Sequence, residues 1–179
     1  IPNVRALYGD ESDVDEDGRV SIVITPVLND ISLTASDEDY QDAPFYSYVE
    51  PSADLQEFDE VTNPLSDYKE VIYVFAPDPN GFTNTQLSAE AYTSYKVAAE
   101  VARSFTTLGS YNQHVLLAGG EQEKDWLNDA MGTLAADLCG FGAAYYSDVW
   151  GYLDAPHLKP LVTDSSGDLE TWDRGAQYL

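Results

Sequence analysis

The chain has 179 residues, 32 of them acidic against 8 basic, for a net charge of -24. Such a surface repels phosphate backbones and anionic headgroups, which argues against nucleic acid, acidic membranes and direct membrane insertion. At 44% hydrophobic residues the composition is that of a folded chain, long enough for one domain over residues 1–179 with a single core.

The acidity is uneven. Residues 1–70 carry 18 acidic side chains and only three basic ones, Arg5, Arg19 and Lys69. Calcium, a salty solvent or a basic partner would each accommodate that field. The single Cys139 rules out an intramolecular disulfide, and within Leu138-Cys139-Gly140-Phe141 it reads as a small core residue. No apolar run reaches the roughly 20 residues that span a bilayer. The chain opens at Ile1 and closes on Arg174-Gly175-Ala176-Gln177-Tyr178-Leu179, which resembles the start of another apolar element, so a longer parent polypeptide is expected.

In chain order, an acidic loop over Ser12 to Val20 runs into a β-branched segment, Ser21-Ile22-Val23-Ile24-Thr25, predicting a turn and then a strand. From Asn29 to Asp67 the chain is acidic, aromatic and broken by prolines. Residues 29–67 therefore read as a loop-rich insertion with one short strand near Phe45 to Val49. Val71 to Ala76 is the strongest strand signal, stopped by Pro77-Asp78-Pro79-Asn80-Gly81. Helical spacing of Val97, Val101, Phe105 and Leu108, with Ala98 and Ala102 beside them, predicts a buried helix over Gln86 to Leu108. A second helix is expected over Glu123 to Leu138, with Trp126, Leu127, Ala130, Met131, Leu134 and Leu138 on one face and Gly140 as its stop. Beyond Gly142 the pattern weakens into a tyrosine-rich stretch and a loop. Tyr145, Tyr146, Trp150 and Tyr152 there either pack over the second helix or line a recognition surface. There is no internal repeat. Strands followed by two helices predict an α+β domain, a small mixed β-sheet with two main packed helices on one face.

Three aspartates, Asp13, Asp15 and Asp17, followed by Gly18, match the first half of a D-x-D-x-D-G calcium loop, in which alternate side chains converge on one hard cation. The twelfth position, a bidentate glutamate in the helical version, is Ile24. Calcium would then need Asp10, Glu11 or Asp30 to close its shell; the alternative is a solvated turn whose carboxylates accept backbone amides. Enzyme motifs are missing: the only histidines are His114 and His157, no H-E-x-x-H or three-histidine zinc site can be built, and neither G-x-S-x-G nor a phosphate-binding glycine loop occurs. His114 is expected to cap or pack at a helix end, and His157 to be exposed in its loop.

Several segments in order, Asp13-Val14-Asp15-Glu16-Asp17-Gly18-Arg19-Val20, Tyr73-Val74-Phe75-Ala76-Pro77-Asp78-Pro79, Tyr111-Asn112-Gln113, Trp126-Leu127-Asn128-Asp129-Ala130 and the closing Arg174-Gly175-Ala176, resemble the hyicolysin-like zinc metallopeptidases of bacteria. The resemblance runs from about Val4 to Leu179 and implies a zincin-like fold. It also implies a zinc site built from H-E-F-Q-H on the first helix and the glutamate of W-L-N-E-G on the second. With Asn112-Gln113 as anchor, Arg103-Ser104-Phe105-Thr106-Thr107 lies on the first motif, so Arg103 and Thr107 replace the histidine ligands and Ser104 the general base. Asp129 takes the place of the glutamate ligand and Ala130 that of the glycine.

A guanidinium repels Zn²⁺, and serine is a poor base near neutral pH. The resemblance therefore implies a catalytically inactive domain with no zinc, in which an Arg103–Asp129 ion pair ties the two helices where a metal would. The expected role is that of a structural or binding module of a secreted or cell-surface bacterial assembly, such as a filament subunit, with a protein partner or self-assembly and at most Ca²⁺ as cofactor. The competing expectations are an active hydrolase with an unconventional metal site and a calcium-dependent adhesion module.

Overall fold

A computed structural model describes residues 1–34, 47–82, 95–144 and 146–158. The protein is mixed α+β. Helix α1 (Pro2–Tyr8) leads into the acidic loop, strand β1 (Ser21–Thr25) and helix α2 (Pro26–Thr34). Strand β2 (Ser47–Tyr48), helix α3 (Pro51–Asp54) and strand β3 (Val71–Phe75) follow. The long helix α4 (Tyr95–Tyr111) continues as a π-helical stretch, Asn112–Leu117, and is followed by α5 (Asp125–Leu138) and α6 (Tyr146–Asp154), with short 3-10 turns at Gly142–Ala144 and Pro156–Leu158.

The three strands lie in the order β1-β3-β2. β1 runs parallel to β3 with Ser21 opposite Val71, and β2 runs antiparallel to it with Tyr48 opposite Tyr73. Being central, β3 is almost wholly buried at Val71, Ile72, Val74 and Phe75, which is why its apolar run is continuous. Phe105, Leu108 and Tyr111 of α4 join Ile72, Val74 and Phe75 in the core, with Val4 of α1 and Leu55 after α3. α4 also packs along α5 through small residues, Ala99, Ala102 and Ala136. α5 stops where expected: Gly140 takes the left-handed conformation (φ 89°), and its amide donates to the Asp137 carbonyl at 2.8 Å.

Elsewhere the structure departs from the sequence reading. Residues 29–34 form the second half of α2, and Pro51–Asp54 is a helical turn, where the loop-rich insertion was expected. Both begin with a proline, whose fixed φ suits a first helical turn and whose missing N–H is not needed there. The strand near Phe45 to Val49 is confined to Ser47–Tyr48, residues 45 and 46 lying outside the described residues. The expected start of the first long helix, 86–94, and the closing Arg174-Gly175-Ala176 also lie outside them. α6 forms in the tyrosine-rich stretch, for which no element was expected; Trp150 on it is 70% exposed and so does not pack down, Tyr152 is half-buried, and residue 145 lies outside the described residues. Cys139 is half-buried against the core. Among the described residues no helix is long and apolar enough to cross a membrane.

Candidate functional site

Arg103 and Ser104 sit mid-helix on α4, and Asp129 faces them from the first half of α5. The Arg103 Nη2 donates to Asp129 Oδ1 at 2.8 Å, so the expected cross-helix ion pair is present. Its Nη1 lies 3.3 and 3.2 Å from the two oxygens of Glu100, one turn back on the same helix. One guanidinium thus joins two carboxylates in a half-buried seam. Gly132, one turn after Asp129, lets the helices close: a Cβ there would stand 3.1 Å from Arg103 Cβ and Cγ.

Ser104 is buried, with its hydroxyl 2.7 Å from that of Ser47 on β2. Ser47 gives its one proton to the Glu100 carbonyl (3.1 Å), so Ser104 is the donor of the pair. The Ser104 hydroxyl is therefore engaged in bonding the helix to the sheet edge. Thr107 Oγ1 turns back to the Arg103 carbonyl at 3.5 Å, a local helix contact. A permanent cation, two hydroxyls and one carboxylate do not make a zinc donor set, which takes imidazole, thiolate or carboxylate ligands.

The acidic loop is the second cluster. One carboxylate oxygen from each of Asp13, Asp15 and Asp17 lies within 4.8 Å of the others. The loop is wound by its own side chains: Asp13 accepts the Gly18 amide at 2.8 Å, Asp15 that of Asp17 at 3.2 Å, and Asp17 that of Arg19 at 2.8 Å. Glu16 (φ 59°) and Gly18 (φ 67°) supply the left-handed bends. Lys69 reaches in from the chain before β3, its Nζ 2.9 Å from Asp15 and 3.4 Å from Asp17. The hydrogen bond from Lys69 holds the Asp15 carboxyl below the usual carboxylate range. The next residue, Glu70, is fully buried; its Oε1 accepts the Ser12 hydroxyl at 2.6 Å and the Val14 amide at 3.0 Å, and its Oε2 has no hydrogen-bond partner. Of the carboxylates expected to close a calcium shell, Glu11 instead pairs with Arg5, and Asp10 and Asp30 stand outside the triad.

A third cluster lies at the β2 edge. Tyr48 and Tyr73 sit opposite each other with ring centroids 6.5 Å apart. The Tyr48 hydroxyl donates to Glu50 at 2.9 Å and the Tyr73 hydroxyl to Asp67 at 2.6 Å. Burial, then the Glu50 hydrogen bond, push the Tyr48 phenol up to about 12, and burial with Asp67 raises that of Tyr73. Asp54, almost completely buried and near Asp67 and Glu50, is pushed up to about 6, chiefly by burial.

His114 lies in the last turn of the π-helical stretch, a helix end as expected; its side chain is half exposed and its Nδ1 meets Glu123 Oε1 at 2.6 Å across the loop before α5. His157 is exposed, as expected. Ser47, Glu100, Lys69 and Glu70 were not singled out from sequence. Glu100 could have been, since it stands three residues before Arg103 on a helix, and so could Lys69, one of three cations among 18 acids; Ser47 and Glu70 carried no signal.

No family model matches the chain, and no curated protein is similar to it in sequence.

Proposed function

We propose that this chain is a non-catalytic, metallopeptidase-like domain of the zincin type, secreted or displayed at a bacterial cell surface, where it serves as a structural or binding module. One observation carries the reading. Where the resemblance implies two histidines and a glutamate converging on zinc, Arg103 bridges Asp129 and Glu100 across the same helix pair. A tethered guanidinium neutralises the facing carboxylates as a metal would, without offering a Lewis acid or an activated water. The resemblance to secreted bacterial enzymes supports the extracellular setting.

Metal analysis with a chelator-controlled protease assay tests the proposal. The expected outcome is no stoichiometric zinc and no cleavage. Zinc with chelator-sensitive cleavage would instead support an active hydrolase with an unconventional site. The combined variant Arg103→His, Ser104→Glu, Thr107→His, Asp129→Glu tests the register: it should gain zinc affinity, and a folded variant without that gain places the resemblance in the wrong frame.

The spacing of the loop carboxylates favours a second, compatible reading. We propose that Asp13, Asp15 and Asp17 hold Ca²⁺, a hard cation suited to clustered carboxylate oxygens. Calcium at about 100 times its Kd should stabilise the fold by about 2.7 kcal/mol, seen as a raised thermal midpoint lost in Asp15→Asn. An unchanged midpoint in saturating calcium rejects the site and, with it, a calcium-dependent adhesion role.

A further inference from the structure

We infer that strand β1 is a docking edge for one extended, cation-flanked strand of a partner protein. In a ladder, the N–H and C=O of a residue point to one side and alternate along the strand. The Ser21 amide donates to the Glu70 carbonyl at 2.8 Å, so residues 21, 23 and 25 face β3. Ile22 and Ile24 therefore turn their N–H and C=O groups to the opposite side. Among the described residues no strand lies there, because the sheet runs β1-β3-β2 with β1 outermost.

The side chains tell the same story independently. Ile22, Val23 and Ile24 are 48%, 40% and 56% exposed, so β-branched residues stand open on both faces of the strand. Protected edges carry lysine, proline, a bulge or an inward charge, and Ser21–Thr25 has none of these. An added strand would gain main-chain bonds to Ile22 and Ile24 and cover apolar surface on both faces.

Charge decides the occupant. The strand is preceded by exposed Asp13, Glu16 and Asp17, with Arg19 as the one cation in that stretch, and followed by exposed Asp30, on a chain of net charge -24. A second copy would set these acids against their own images. A strand with β-branched residues at its centre and Lys or Arg at its ends meets the apolar edge and the acidic flanks together.

The probe is a labelled alternating Val-Thr peptide with lysine at both ends, compared with its glutamate-ended counterpart by fluorescence anisotropy. The lysine-ended peptide should bind at least about tenfold more tightly and weaken as salt is added. Ile24→Pro removes an outward N–H while sparing the ladder to β3, and Ile24→Lys places a charge on the edge; both should abolish binding, with circular dichroism confirming the fold. In the unaltered protein, amide exchange at Ile22 and Ile24 should slow on adding peptide while Val23 and Thr25 stay as they were, a readout that needs no variant. No binding, equal binding of both peptides, or binding that survives Ile24→Pro overturns the inference. So does a dimer of the chain alone in sedimentation that Ile24→Pro dissolves, since the occupant is then a second copy.

Discussion

The Arg103 guanidinium on α4 meets the Asp129 carboxylate on α5 at 2.8 Å, while its other amino group rests on Glu100. Removing the arginine takes one cation from two carboxylates; removing Asp129 keeps the contact of Arg103 with Glu100 in place. Arg103→Gln should therefore destabilise more than Asp129→Asn. A double-mutant cycle by urea unfolding should give a coupling of about 1 kcal/mol that shrinks with salt. A coupling near zero would show that the contact contributes nothing to the helix pair.

Gly132 sets how closely the two helices approach. Alanine is the better helix former by about 1 kcal/mol, yet its methyl would press on the Arg103 stem and on Arg103 Cα, 3.2 Å away. Overpacking should win, so Gly132→Ala should lower stability by about 1–2 kcal/mol, and Gly132→Val by more, in the same unfolding assay.

Asp54 makes the stability depend on pH in an unusual direction. Its folded pKa of about 6 exceeds the ordinary value of 3.8, so the folded state holds the proton more tightly. That contribution is complete below the unfolded pKa and is lost as pH rises through about 6. Glu11 and Asp15 act in the opposite sense: burial would raise Glu11, but Arg5 outweighs it and holds it low, and Lys69 holds Asp15 low, so their contributions are lost in acid. Thermal scans should find a maximum at mildly acidic pH. Asp54→Asn should raise the midpoint near neutrality and flatten the fall between about pH 4 and 6. A midpoint that climbs steadily from acid to neutral would contradict this assignment.

Glu70 holds the acidic loop by its Ser12 and Val14 bonds, while its second oxygen is buried without a partner. Glu70→Gln keeps an acceptor and removes a buried charge, so it should be close to neutral or stabilising. Glu70→Ala leaves the Ser12 and Val14 donors unpaired and should cost about 1–3 kcal/mol. Equal losses in the two variants would mean that the charge itself is needed.

Lys69 already supplies positive charge to Asp15 and Asp17. A calcium ion at the triad would compete with that ammonium. Lys69→Met should then tighten calcium binding by about tenfold in calorimetry while lowering the stability of the calcium-free protein. Weaker binding in this variant would place the cation elsewhere.

The residues that could be read from sequence were those whose neighbours along the chain decide their fate. β3 is apolar at almost every position because both its faces are covered, and α4 shows its buried stripe at helical spacing; α5 does not, since it buries Ala135 and Ala136 against α4 while Leu134 and Leu138 of its expected face are 44% and 46% exposed. β1 was read as a strand correctly, but its exposure depends on its place at the sheet margin, which no local pattern encodes. α1, with a single buried residue in Val4, has too little apolar periodicity to announce itself. The Arg103–Asp129 pair was legible because two residues of opposite charge were expected to face each other across the two helices. The Ser47–Ser104 bond was not, since two serines 57 residues apart offer nothing to match.

The placement of α1 also sets an order of events during synthesis. Its Tyr8 hydroxyl donates to the Met131 carbonyl, and its Asn3 amide to that of Leu138, contacts spanning 123 and 135 residues. Helix α1 must therefore wait for α5 to be made before it can dock. Docking of α1 is consequently a late step of folding, and until then Val4 and the groove it fills stay open to water.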